Sequence, residues 1–140
     1  MVMEYVVLAT WIIQASVGVS LLVGWWRGGR SGAPTVVIHA AMGVVGFLLW
    51  VGFLLSAAVL PAWLALVALT IGNSVGDAML RGRSRAWRPD ASFWRSYGGA
   101  IVDTVTGRMP PRVTFHALFA GVVYFSCLGV CVGATVAGAA

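Results

Sequence analysis

Residues 36–80 read VVIHAAMGVVGFLLWVGFLLSAAVLPAWLALVALTIGNSVGDAML, with no lysine or arginine and with Asp77 as the only acid. A helix rises about 1.5 Å per residue, so about 20 apolar residues cross a hydrocarbon core roughly 30 Å thick. This run is long enough to cross twice. Pro61 suits the first turn of a helix, where a missing N–H costs nothing. The reading is therefore a span over 36–60 and another over 61–80. Working outward, residues 5–26 make a span in which Gln14 is the only strongly polar residue, and residues 113–137 make a fourth.

Composition agrees. The chain is 60% hydrophobic and only 9% charged, against roughly 25% charged in soluble domains. Four acids and nine arginines cannot coat a soluble globule of 140 residues. Disorder needs low hydrophobicity and high charge. Two cysteines cannot build a disulfide framework. The expected fold is all-α: an integral membrane four-helix up-down bundle, one domain over residues 1–140.

The arginines give the orientation. Arg27 and Arg30 lie between the first two spans; Arg81, Arg83, Arg85, Arg88, Arg95, Arg108 and Arg112 lie between the last two. The connection at Pro61 has none. The positive-inside rule makes the arginine-bearing side cytoplasmic, so both termini are expected outside. The first span lacks a basic leader and a small-residue cleavage site and reads as retained. An arginine-only, Ala/Val/Gly-rich composition suggests a GC-rich bacterial genome, hence a multi-pass protein of the inner membrane.

Residues 81–112 form the expected cytoplasmic loop. Its first part, RGRSRAWRPD, is polar. In its second part Phe93, Tyr97, Ile101 and Val105 recur every four residues, the spacing of one helical face. A short amphipathic helix on the inner leaflet is expected there, with Trp87, Trp94 and Tyr97 as interface anchors. Topology already accounts for the arginines, so no nucleic-acid partner is expected.

Two segments resemble each other: PTVVIHAAMGVV from Pro34 and PRVTFHALFAGV from Pro111. Pro34 aligns with Pro111, Val36 with Val113, His39 with His116, Ala40 with Ala117 and Val45 with Val122. The expected account is two pseudo-repeated helix pairs. Two spans per half keep the halves in one orientation about an axis along the membrane normal. Spans two and four are then diagonal, and with neighbouring axes about 10 Å apart the diagonal is about 14 Å.

Two histidines facing each other over that distance can ligate one haem b iron from both sides. Small residues follow each: Ala40 and Gly43 after His39, and Ala117, Ala120 and Gly121 after His116, while Gly72 and Gly76 sit on the third span. Arg30, Arg81 and Arg112 flank that level and suit anionic propionates. Asp77 and Asn73 share a face of span three. They could form an outer shell to the imidazoles, relay protons or contact a quinone headgroup. Asp77 could instead pair with Arg81 at i, i+4. Cys127 and Cys131 read as small packing residues, and Gln14 as a hydrogen-bonding link to another helix.

The functional expectation is a small b-type haem protein of membrane electron transfer, with His39 and His116 as axial ligands. Two alternatives stay open, each leaving the histidines structural. One is a non-catalytic accessory subunit that packs on a larger complex, or on copies of itself, through faces such as Gly129–Gly133. The other is a small oligomeric transporter built around Asp77. P-loop, GxSxG, HExxH and CxxCH motifs are all absent, so hydrolytic and phosphoryl-transfer chemistry lacks its usual equipment.

Overall fold

The computed structural model describes residues 2–89 and 92–139. Five α-helices follow one another: α1 (Val2–Arg27), α2 (Ala33–Ser56), α3 (Val59–Arg85), α4 (Phe93–Val105) and α5 (Pro111–Ala139). Four of them, α1, α2, α3 and α5, are long and apolar enough to cross a membrane. The lipid-compatible surface is continuous with their sequence: Leu48, Leu55, Leu60, Phe125 and Val136 all stand exposed.

Local chemistry sets the ends. α1 stops where the Gly28 N–H bonds back to the Gly24 carbonyl at 3.0 Å. The chain then turns through left-handed Gly29 (φ 99°) and Gly32 (φ 66°), conformations that glycine adopts without steric penalty. Pro34 follows in the first turn of α2. α2 ends at Ala57, whose N–H bonds to the Phe53 carbonyl at 2.9 Å. Ser56 Oγ there accepts a bond from the Ala58 N–H at 3.2 Å.

The break between the second and third spans is thus at 57–58, earlier than the 60/61 boundary expected from Pro61. The proline lies inside the first turn of α3, where its ring is tolerated. α3 also outruns the expected end at Leu80 and continues to Arg85, because its last turn carries Ser84 into a buried polar contact described below. α5 opens on Pro111, two residues before the expected start.

α2 packs on α1 and α3, and α5 packs on α1, α3 and α4. The backbones of α1 and α3 do not approach closely, nor do those of α2 and α5. These are the two diagonals. The apolar core fills one half of the assembly: Val7 and Trp11 of α1, Trp50 and Phe53 of α2, Ala62, Ala65, Leu66 and Leu69 of α3, and Val123, Cys127, Val130 and Cys131 of α5. Trp50 donates its indole N–H to the Glu4 carbonyl at 3.1 Å, which satisfies the one polar atom of a fully buried ring. Trp11 lies so close to Gly46 that a Cβ there would sit 2.8 Å from its ring.

α4 packs the opposite way from an ordinary surface helix. Its buried face is Ser96, Ala100, Asp103 and Thr104, while Phe93, Trp94, Ile101, Val102 and Val105 are exposed. The apolar stripe expected from the four-residue spacing is present on a helix. It is exposed, except for half-buried Tyr97.

Candidate functional site

The half of the assembly beyond the apolar core holds both histidines. His39 lies near the start of α2 and His116 near the start of α5, on opposite ends of one diagonal. Their ring centroids are 5.9 Å apart with planes inclined at 71°.

Each ring is seated by a glycine of the other diagonal. On α3, a Cβ at Gly76 would lie 3.2 Å from His39 Cε1 and 3.4 Å from its Nδ1. On α1, a Cβ at Gly18 would lie 3.2 Å from His116 Cε1. Close approach of the backbone is the physical need for glycine at these two positions. Gly72 serves a related end: a Cβ there would touch Met42 Cβ at 3.4 Å, so α2 and α3 meet closely at this level.

His39 Nδ1 lies 2.9 Å from the Gly72 carbonyl oxygen. A carbonyl can only accept, so Nδ1 carries the hydrogen, and in the neutral ring the lone pair is on Nε2. A backbone carbonyl of this kind fixes tautomer and ring orientation in metal-ligating histidines. His116 is held differently. Gln14 Nε2 donates to the His116 carbonyl at 2.9 Å. Gln14 Oε1 and His116 Nδ1 are both buried without a hydrogen-bond partner.

The other residues singled out from sequence fall elsewhere. Asp77 is half-buried and accepts a long bond from Tyr97 Oη at 3.3 Å; its carboxylate is thus turned to α4, not to an imidazole. No hydrogen bond joins Asn73 to either ring, and the Gly72 carbonyl takes the place expected for those two side chains. Arg81 lies over the Phe93 ring at 4.2 Å, and Arg30 over the Trp26 ring at 4.3 Å. Arg112 is exposed in the first turn of α5. Cys127 and Cys131 are free thiols buried in the apolar core. Gln14 does bridge two helices, α1 and α5.

Sequence reasoning passed over a second polar cluster. The Asp103 side chain is fully buried and receives a forked pair from Arg88, with Nη1 at 2.6 Å and Nη2 at 2.9 Å. Ser84 Oγ donates at 2.7 Å and Arg108 Nη1 at 3.2 Å. The Arg88 bonds hold the Asp103 carboxyl well below the usual carboxylate range, with Ser84 and Arg108 assisting, against the upward push of burial. The cluster ties α4 to the end of α3. Gly99 makes room for it, since a Cβ there would stand 2.9 Å from Arg88 Nη1. The available signal was an acid placed among seven arginines, one of few acids in the chain.

A groove of about 130 Å³ opens between α3, α4 and α5, with Asp77, Arg81, Tyr97, Ile101, Val105, Ala117 and Leu118 among its walls. The negative charge of Asp77, with burial second, pushes the Tyr97 hydroxyl up from its ordinary value.

The donor set limits the chemistry. Among the described residues no group of three His, Cys, Asp or Glu could hold a metal ion. A tetrahedral or octahedral site made by protein alone needs more ligands than two histidines. A macrocycle that brings four nitrogens of its own needs only two. His39 and His116, with ring centroids 5.9 Å apart, are the two side chains that would supply those ligands. The site has to be read from this chemistry alone, because no protein-family model matches the chain and neither does any curated protein or solved structure.

Proposed function

We propose that the chain is a small membrane protein that holds one b-type haem between His39 and His116 and acts in electron transfer within the bilayer. The observation that carries this reading is the histidine pair itself: two imidazoles from diagonal helices, 5.9 Å apart, with one Nδ1 locked on a backbone carbonyl. A bound haem supplies one-electron reduction and reoxidation at its iron. The protein's part is to orient and to insulate. Gly72 directs His39 Nε2; the apolar spans exclude water. Gly18 and Gly76 let the His116 and His39 rings seat directly against α1 and α3.

The same reading takes the four spans as an up-down bundle of two similar halves, each with a Pro–x₄–His segment at Pro34–His39 and Pro111–His116. The short connections after α1 and α2 favour antiparallel neighbours. The arginine-bearing side is taken as cytoplasmic, with both termini outside and α4 lying along the inner leaflet. Arg30, Arg81 and Arg112 remain the cations available to propionates.

Purification in detergent after expression with haem supplied tests the proposal. The expected protein is red, with a sharp Soret band and b-type peaks in the reduced-minus-oxidised spectrum. His39→Ala and His116→Ala each abolish the low-spin spectrum. A colourless protein that also fails to take up added haemin overturns the proposal and leaves the accessory-subunit reading.

A further inference from the structure

We infer that the groove between α3, α4 and α5 is a binding site for the headgroup of a membrane-dissolved quinone or quinol. The inference rests on the electron-transfer reading for its purpose, but not for its test. Three residues with polar side chains line the groove: Asp77, Tyr97, whose hydroxyl donates to the Asp77 carboxylate at 3.3 Å, and Arg81, whose guanidinium rests over the nearby Phe93 ring. A carboxylate accepts and a guanidinium donates; the tyrosine hydroxyl does both. Asp77 repels an anionic headgroup and Arg81 a cationic one. The set suits a neutral ring that carries both hydroxyl and carbonyl oxygens.

Size and access point the same way. At about 130 Å³ the groove is smaller than the roughly 300–1,000 Å³ of sites that enclose whole drug-sized ligands. It takes one ring and leaves an isoprenoid tail outside. Ile101, Val105 and Leu118, which line it, are each half or more exposed, so the tail runs over an apolar rim. The groove also adjoins the histidine pair through the chain: Asp77 follows Gly76, which touches His39, and Ala117 follows His116.

Calorimetric titration of decylubiquinone into the protein in nanodiscs tests the site, with and without haem loaded. Saturable binding is expected in both forms. Asp77→Asn should weaken it about tenfold or more, the loss expected when a charged acceptor becomes neutral. Ile101→Trp, which alters only an exposed rim residue, should block it by filling the groove. Ser74→Ala, on the opposite groove of α3, should leave it unchanged. Non-saturable partitioning into the nanodisc, or equal affinity in wild type, Asp77→Asn and Ile101→Trp, overturns the inference. A colourless protein that still binds the probe through Asp77 sinks the haem proposal and keeps this one.

Discussion

Replacing Gly76 by alanine tests how tightly α3 seats the His39 ring. The new Cβ would stand 3.2 Å from Cε1 and 3.4 Å from Nδ1, nearer than ordinary van der Waals contact. The ring must retreat by a few tenths of an ångström, and its 2.9 Å bond to the Gly72 carbonyl lengthens accordingly. Two effects oppose each other. Alanine is a better helix former than glycine by about 1 kcal/mol. Overpacking a close contact costs roughly 1–3 kcal/mol. Gly52→Ala is the matched control, because nothing lies within 4 Å of a Cβ at Gly52; only the propensity gain applies there. The difference between the two substitutions cancels that gain and isolates the contact, at roughly 1–3 kcal/mol. Reversible unfolding in mixed micelles, followed by circular dichroism, measures both. In a haem-loaded protein the Gly76→Ala spectrum should also shift while Gly52→Ala does not. Equal stability changes at the two positions would mean that the imidazole is not seated against α3, and the account of the site would fail with it.

Arg88→Ala should undock α4, because it strips the buried Asp103 carboxylate of its forked partner. Amide exchange over residues 93–105 should then rise at least about tenfold while α2 stays protected, and unchanged exchange would refute the clamp. The Asp103 carboxyl titrates below its unfolded value of about 3.9, so its contribution is complete above that pH and is lost only as pH falls through the lower folded value. A nitroxide on Val102→Cys should therefore keep the same mobility from pH 8 down to about 4; loosening between pH 7 and 5 would contradict this. Gln14→Leu removes an interhelical hydrogen bond worth about 0.6 kcal/mol in membrane proteins and also a buried acceptor without a partner. The net change in unfolding free energy should lie within about 0.5 kcal/mol, and a loss several times larger would show that Oε1 is engaged. Cys127 and Cys131, buried in the core, should resist a membrane-permeant maleimide in the folded protein, whereas Val102→Cys, exposed on α4 outside the four long apolar helices, should react.

The four long helices were legible because their cause is local. Each is a run of apolar residues long enough to pair its own backbone groups, and no distant contact is needed to recognise it. The meeting of His39 and His116 was half legible. Their matched distances from Pro34 and Pro111 put them at similar depth, but the rotation of each helix about its axis comes from packing. So the rings' 5.9 Å approach and their glycine seats belong to the tertiary structure. Gly18 carries no sequence signal in a chain with 18 glycines; only the neighbour it faces distinguishes it.

The outer partner of His39 could not be read in advance for a related reason. Sequence analysis weighs side chains, and here a main-chain carbonyl at Gly72 took the role expected for Asp77 or Asn73. Hydrophobic spacing found α4 and its apolar face but not what its other face meets. In this chain the inward face is set by a buried ion pair between Asp103 and Arg88, residues fifteen positions apart that no periodic pattern links. The sequence by itself determined which segments are too apolar for water, because transfer from water depends on each segment alone. Which polar atoms meet, and which faces turn to lipid, was decided by the fit of five helices against one another.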